Sequence, residues 1–295
     1  MKFADIGQQL RAYRLESGLR AEEIAARLGV SRAALYRYEK GEVIKLDTVR
    51  RLAELLKISP LSLLGIGVEY FTRPVAFLER LRQIEEQAEQ AILFGGALCY
   101  QTATDAFDGA VTEAWTEAAD ALPDRFAARA SAEQCLGLLA ARRRSHQQRR
   151  ANILAILSEA AIQRFLTEGV AAGLPVSDRV RVHCRAVARL EAEAMAGLME
   201  AVPIGVQIGL SAGPDSSGGF MVLRGRDRAN VIGTPFAPDA APFAVAGVAS
   251  IIGADDAIAV HQRVAEAAWR DALKGADAAA RVRALVADAQ RNAEG

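Results

Sequence analysis

The run Gly29-Val30-Ser31-Arg32-Ala33-Ala34-Leu35-Tyr36-Arg37-Tyr38-Glu39-Lys40-Gly41 constrains this chain more than any other stretch. It predicts a helix bounded by two glycines. Ser31 stands where the first unpaired backbone N–H groups need an acceptor, and Gly41 stands where a left-handed residue would stop the helix. At about 100° per residue, Arg32, Ala33, Tyr36, Arg37 and Lys40 share an arc of roughly 140°. Ser31, Ala34, Leu35 and Tyr38 fall on the other side, with Glu39 at its edge. One face can pack; the opposite face is basic, with one aromatic ring and one small gap. A helix of this kind can lie in a DNA major groove, with its arginines on phosphates and guanine edges. Taken alone, it is equally an ordinary amphipathic surface helix.

Its neighbourhood decides between these readings. Ala21-Glu22-Glu23-Ile24-Ala25-Ala26-Arg27-Leu28 predicts a short helix ended by Gly29, and only Val30 and Ser31 separate it from the next. Two helices joined by so short a glycine-containing turn form a helix-turn-helix. The segment resembles the Cro/C1-type (XRE) family of helix-turn-helix regulators. The match runs from Ile6-Gly7-Gln8-Gln9-Leu10-Arg11 and Gly18-Leu19 through Glu23-Ile24-Ala25, Leu28-Gly29-Val30-Ser31 and Tyr38-Glu39-Lys40-Gly41-Glu42. It closes with Leu52-Ala53-Glu54-Leu55-Leu56 and Leu61-Ser62-Leu63-Leu64-Gly65. The resemblance implies a five-helix DNA-binding domain over residues 1–66. It also implies that Ser31, Arg32, Ala33, Tyr36 and Arg37 occupy the base- and phosphate-contacting positions, with Lys40 at the end of the same face.

The sequence departs from the family pattern in two places. A Ser or Thr cap followed by Gln usually opens the first helix of the motif; here Arg20 and Ala21 stand there. Arg20 restores attraction to phosphate by charge, with less geometric definition. Ala33 replaces what is often a polar base-reading side chain and can offer only a methyl contact, for instance to thymine.

The chain has 295 residues, with 36 Lys and Arg against 36 Asp and Glu. That length suits two domains, one small and one of ordinary size. The neutral total hides an asymmetry. Residues 1–66 carry 12 basic against 8 acidic side chains, and the rest carries 24 against 28. A basic head on an acidic body suits a protein that touches DNA with one end. No apolar run approaches the length of a membrane span, and Met1-Lys2-Phe3-Ala4-Asp5 has no signal-peptide pattern. Cys99, Cys135 and Cys184 are far apart and odd in number, which reads as reduced thiols in the cytoplasm.

Gly65-Ile66-Gly67 marks a boundary, residues 67–74 a linker and residues 75–295 a regulatory and dimerisation domain. Pro74 opens a helix expected over 74–93, where Phe77, Leu81, Ile84, Ala88 and Ala91 recur at coiled-coil spacing. That helix packs within its own domain or serves as a dimer seam, because the family reads two half-sites as a dimer. Further helices are expected at 105–121, 131–145, 158–167, 177–201, 254–273 and 276–291. Strands are expected at 152–157, 204–210, 220–223, 230–233 and within 243–252, with a loop over 212–219. The fold class is mainly α: the helical DNA-binding domain plus a larger α+β domain with a small mixed sheet. The tract from Arg142 to Arg150 reads as a solvated helix face, or else as a contact to DNA flanks or an anionic ligand. Three segments resemble the large C-terminal region of some actinobacterial regulators with the same type of head. They are Ile156-Leu157-Ser158-Glu159-Ala160-Ala161-Ile162, Gly219-Phe220-Met221-Val222-Leu223 and Ala267-Ala268-Trp269-Arg270-Asp271-Ala272-Leu273. That likeness implies a module receiving a signal from a small molecule or a partner protein.

Catalytic readings find little support. Gly209-Leu210-Ser211-Ala212-Gly213 has the form of a nucleophile elbow, yet the residues after it predict a loop where the elbow needs a helix. His183 and Cys184 are adjacent and so point about 100° apart on a helix, too far to share one ion. His146 and His261 have no partners at ligand spacing, and no dinucleotide fingerprint is present. Phe94 to Tyr100, with Phe107 and Trp115, reads as core or as the lining of a cavity. The expectation is therefore a non-enzymatic regulator that needs no cofactor or metal. It binds double-stranded DNA as a homodimer, acts as a repressor and answers to a small-molecule effector or a small protein partner. A protein-interaction module of antitoxin type, with secondary DNA binding, is the alternative.

Overall fold

Glycine and proline punctuate the N-terminal region, and short helices fill the intervals between them. In the computed structural model, which describes residues 3–63, 67–212 and 219–294, these helices are α1 (Phe3–Ser17), α2 (Ala21–Leu28), α3 (Arg32–Glu39), α4 (Leu46–Leu56) and α5 (Pro60–Leu63). Leu10, Ile24, Leu35, Leu52 and Leu63 are fully buried where they meet. In α4, Val49, Leu52, Ala53 and Leu56 supply the inward stripe. This is the five-helix bundle that the family resemblance implies.

The remainder is a mixed α+β unit built on an open sheet. The described elements are β1 (Val68–Phe71), α6 (Pro74–Glu85), β2 (Gln90–Phe94), α7 (Asp105–Asp120), α8 (Arg125–Arg149), β3 (Asn152–Ser158), α9 (Glu159–Glu168) and α10 (Asp178–Ala201). They continue with β4 (Val206–Ser211), β5 (Phe220–Arg224), β6 (Ala229–Gly233), β7 (Ala249–Ile252), α11 (Asp255–Asp271), β8 (Leu273–Lys274) and α12 (Gly275–Glu294). The strands form one sheet of eight in the order β1-β7-β6-β5-β2-β3-β4-β8. β2, β3 and β4 run parallel, because pairs of helices carry the chain between them; the other pairings are antiparallel. Alternation along β3 shows why both faces must be covered. Ile153, Ala155 and Leu157 pack under α9, α10 and α12, whereas Ile156 faces the other way toward Ile258 and Ala265 of α11.

Three expectations change. The helix from Pro74 ends at Glu85, and residues 90–94 are strand β2, not the continuation of a helix to 93. The chain turns where the Ala88 N–H bonds to Glu85 O (3.1 Å) and the Glu89 N–H to Arg224 O (2.7 Å). The coiled-coil seam fails with it, because Phe77, Leu81 and Ile84 are buried inside the chain's own core. The stretch read as a linker contains β1, which pairs with β7. The helix expected over 131–145 runs from Arg125 to Arg149, so the basic tract lies on it and its first two arginines point inward. Arg142 bonds Glu85 through two nitrogens (2.7 and 2.8 Å), and Arg143 reaches Asp108 and Asp105 (2.5 and 2.7 Å). Leu64, Gly65 and Ile66, and the loop residues 213–218, lie outside the described residues.

The helical head shares a core with the sheet. Tyr13 of α1 stacks on Phe71 of β1, with ring centroids 5.7 Å apart. Around that stack, Glu69 takes a bidentate pair from Arg80 (2.8 and 2.9 Å) and a hydrogen bond from Gln9 Nε2 (3.1 Å). Glu16 accepts from the backbone N–H groups of Thr72 (2.7 Å) and Arg73 (3.0 Å), and Arg11 pairs with Glu79 (2.9 Å). Burial and the nearby Glu69 carboxylate push the Tyr13 hydroxyl pKa well up, so it stays neutral.

Candidate nucleic-acid interface

The turn between α2 and α3 is built by its own residues. Gly29 takes the left-handed conformation (φ 69°, ψ 31°), where a β-carbon would be strained, and closes α2 by donating to Ala26 O (3.2 Å). Val30 N–H reaches back to Ala25 O (3.0 Å). Ser31 is extended (φ −76°, ψ 153°), and its Oγ accepts from the Ala34 N–H (3.1 Å), so it caps α3 as its position predicts. One lone pair is used there, which leaves the hydroxyl hydrogen to donate outward.

α3 divides as its spacing requires. Ala34, Leu35 and Glu39 are buried, while Arg32, Ala33, Arg37 and Lys40 are exposed, with Tyr36 half-buried among them. Arg20 is exposed at the start of α2, and its backbone N–H donates to Glu23 Oε2 (2.7 Å). Glu23 thus supplies the reciprocal half of a capping box by satisfying the Arg20 N–H, while the oxygen that a Ser or Thr cap would offer to the first turn of α2 is not replaced.

The basic face is not made of free cations. Arg32 Nη1 lies 2.8 Å from Glu22 Oε1, its Nη2 donates to the Tyr36 hydroxyl (3.3 Å), and its guanidinium stands 5.3 Å from the Tyr36 ring centre. The Tyr36 hydroxyl first, then the Glu22 carboxylate, raises the Arg32 pKa. Arg37 Nε pairs with Glu42 Oε2 (2.9 Å). These pairs are solvent-exposed and therefore cheap to exchange, so each arginine can trade a carboxylate for a phosphate or a base edge. Sequence reasoning missed Glu22 and Glu42, although spacing from Arg37 to Glu42 on adjoining turn residues was a usable signal.

The helix is held from behind by α1. Arg14 makes a bidentate pair with the buried Glu39 (2.5 and 3.1 Å), and its guanidinium lies 6.0 Å from the Tyr36 ring centre. The Glu39 hydrogen bond raises the Arg14 pKa against the opposing effect of burial. α1 and α3 touch backbone to backbone at Gly7, where a β-carbon would lie 2.4 Å from Tyr38 O. Nothing in local sequence pairs Arg14 with a residue 25 positions on.

The other singled-out residues take structural roles. Gly209 makes room for Trp269, whose Cζ3 would be 2.8 Å from a β-carbon there, and Ser211 ends β4 opposite Ser158. His183 is exposed and bonds Glu113 through Nδ1 (2.6 Å), whereas Cys184 is buried. Cys99, Tyr100, Phe107 and Trp115 are core, and Trp115 Nε1 donates to Asp239 O (3.1 Å). Among the described residues no group of three or more His, Cys, Asp or Glu could hold a metal ion, and no helix is long and apolar enough to cross a membrane.

Residues 5–63, from the first turn of α1 through α5, match the family model of a helix-turn-helix domain. No curated protein matches the chain. Among solved structures, one described as the structure of TrmBL2, an archaeal chromatin protein with a novel mode of DNA binding, is 11% identical. It covers 90% of this chain and 93% of its own at a TM-score of 0.33, an overlap too loose to bear on fold or activity.

Proposed function

We propose that this protein is a sequence-specific regulator of transcription that binds double-stranded DNA through α3. One observation carries the reading: a capped helix in a helix-turn-helix domain exposes Arg32, Ala33, Arg37 and Lys40 together while its other side is anchored to α1. Arg32 and Arg37 read base edges, Tyr36 orients Arg32, and Ser31, Lys40 and Arg20 contact phosphate. Ala33 lets the helix approach and offers a methyl contact. The protein acts as a homodimer on two half-sites and represses, and the α+β region receives the controlling signal. Its three cysteines are buried and free, which suits the reducing cytoplasm.

The test is selection of genomic fragments by the purified protein at two salt concentrations. The proposal expects a two-fold-symmetric motif with half-sites about one helical turn apart, and affinity that falls with salt as phosphate contacts require. Steeply salt-sensitive binding with no motif would sink it.

A further inference from the structure

The two faces of the sheet are covered unequally. Among the described residues, helices α6 to α10 and α12 all contribute to the cores on one face, whereas α11 alone crosses the other. Eight strands at about 4.8 Å span roughly 34 Å, and one helix covers about 10 Å of that. Parallel strands such as β2 to β4 ordinarily have both faces covered. On the α11 face, Phe94 and Phe220 stack with ring centres 4.9 Å apart and stay half-buried. Tyr70, in register with Ser250 on the same face, is 60% exposed.

The side that α11 turns to the sheet is narrow. Ile258 and Ala265 are its buried residues, with Trp269 beside them. A second apolar stripe runs along the same helix: Ala257, Val260, Val264 and Ala267 recur at steps of three and four, on an arc centred about 140° from the sheet-facing side. Val260 and Val264 are 47% and 45% exposed. Asp256, Arg263 and Arg270 follow one flank of this stripe at intervals of seven, and none makes an ion pair with another described residue. On the opposite flank His261 stands edge-on to Phe220, with ring centres 4.8 Å apart, so the stripe slopes down to the bare part of the sheet.

We propose that a second copy of this chain docks on that stripe, with α11 antiparallel to its equivalent across a two-fold axis. Spacing of this kind packs the apolar residues in layers. Val260 of one copy meets Val264 of the other, twice, and Ala257 meets Ala267, twice. The two-fold also brings like flanks together in opposite order. Asp256 of each copy then faces Arg270 of the other, while Arg263 meets its own equivalent near the axis: two attractive contacts against one repulsive. This complementarity selects the occupant, because a copy of α11 running the other way carries opposite charges at the matching spacing. A stable pair buries about 800 Å² on each copy. With 17 residues, α11 is about 25 Å long and falls short of that area alone. Each α11 therefore also covers the bare floor of the other copy's sheet at Phe94 and Phe220. The inference rests on the homodimer reading proposed above and gives it a surface, a role closed to α6 because its apolar residues lie in the chain's own core.

The test is sedimentation velocity on the full chain over a range of concentrations. The parent should be a dimer at micromolar concentration. Asp256→Lys and Arg270→Glu each make both attractive contacts repulsive, and each should raise the dimer dissociation constant about tenfold or more at low salt. Mixed in equal amounts, the two variants should recover a dimer comparable to the parent's, since every introduced charge then faces its opposite. Variants that merely loosen the fold would show no such rescue. Val264→Glu buries an unpaired carboxylate in two layers and should give a monomer with the parent's far-UV circular dichroism. A dimeric parent whose variants all stay dimeric, or a mixture no tighter than its components, overturns the interface and leaves the homodimer reading standing. A parent that is monomeric throughout overturns both. A gel-shift assay on the same sample judges DNA reading separately: a dimer that binds no specific sequence removes that proposal and leaves the interface intact.

Discussion

Replacing Glu69 by Gln tests whether the head is joined to the sheet as one packed body. The Glu69 carboxylate receives three donors, two from Arg80 and one from Gln9, and both ionic side chains are more than nine-tenths buried (7% and 8% exposed). In Glu69→Gln one oxygen still accepts, but the new amide nitrogen faces an arginine N–H and the buried guanidinium loses the charge of Glu69. Removing one partner of a buried ion pair costs about 3–5 kcal/mol. With one acceptor retained, about 3 kcal/mol is expected. Urea unfolding of the full chain, followed by the fluorescence of Trp115 and Trp269, should register the loss although both tryptophans lie far from residue 69 in sequence. At a slope of about 3 kcal/mol/M, the midpoint falls by roughly 1 M. The double variant Glu69→Leu/Arg80→Leu should recover part of that loss, because it removes both charges together but leaves the buried Gln9 amide without its acceptor. A single variant within about 0.5 kcal/mol of the parent, or a double variant no better than the single, would refute the reasoning.

Gly7→Ala places a β-carbon 2.4 Å from Tyr38 O and 2.6 Å from Glu39 O, so α3 must shift; DNA affinity should fall in a gel-shift assay while far-UV circular dichroism barely changes. Ser31→Ala removes the cap of α3 and should cost about 1 kcal/mol in urea unfolding. Lys57 ends α4 with φ 56°, and Lys57→Gly should raise Tm by relieving a left-handed penalty of about 1 kcal/mol. Burial holds the His146 imidazole below its ordinary pKa, against a smaller opposing pull from Glu85. The unfolded chain therefore binds the extra proton first. Stability should be complete above the unfolded value near 6.5 and fall as pH drops from there toward the folded value; His146→Gln should flatten that stretch of the stability–pH curve.

The helix-turn-helix is legible because each of its determinants is local. Ser31 caps a residue three positions away, Gly29 ends the helix beside it, and Ala34 and Leu35 need only the helical period to find the inside. The reading failed where a residue's partner is remote. Ala88 and Ala91 extend the spacing of α6 by coincidence, because the turn at Gln87 to Glu89 has no glycine or proline to announce it. That turn forms because Glu89 bonds Arg224, far along the chain. Arg142 and Arg143 look like surface charge until Glu85, Asp105 and Asp108 are folded against them from as many as 57 residues away. Val68-Glu69-Tyr70-Phe71 is too short to declare itself a strand without β7 beside it. On α3 itself, exposure of the basic face was predictable, whereas its pairing with Glu22 and its anchorage through Arg14 and Glu39 were not.

The pairing of β1 with β7 also fixes an order of events on the ribosome. The five helices close over contacts within the first 63 residues and can form early. Their seat on the sheet cannot, because Phe71 waits for Ala249, about 180 residues further along. At a synthesis rate of roughly 5–20 residues per second, the head spends roughly ten to forty seconds without its partner strand. During that interval Phe71 has no strand beside it, and α3 is complete before the sheet on which the head rests.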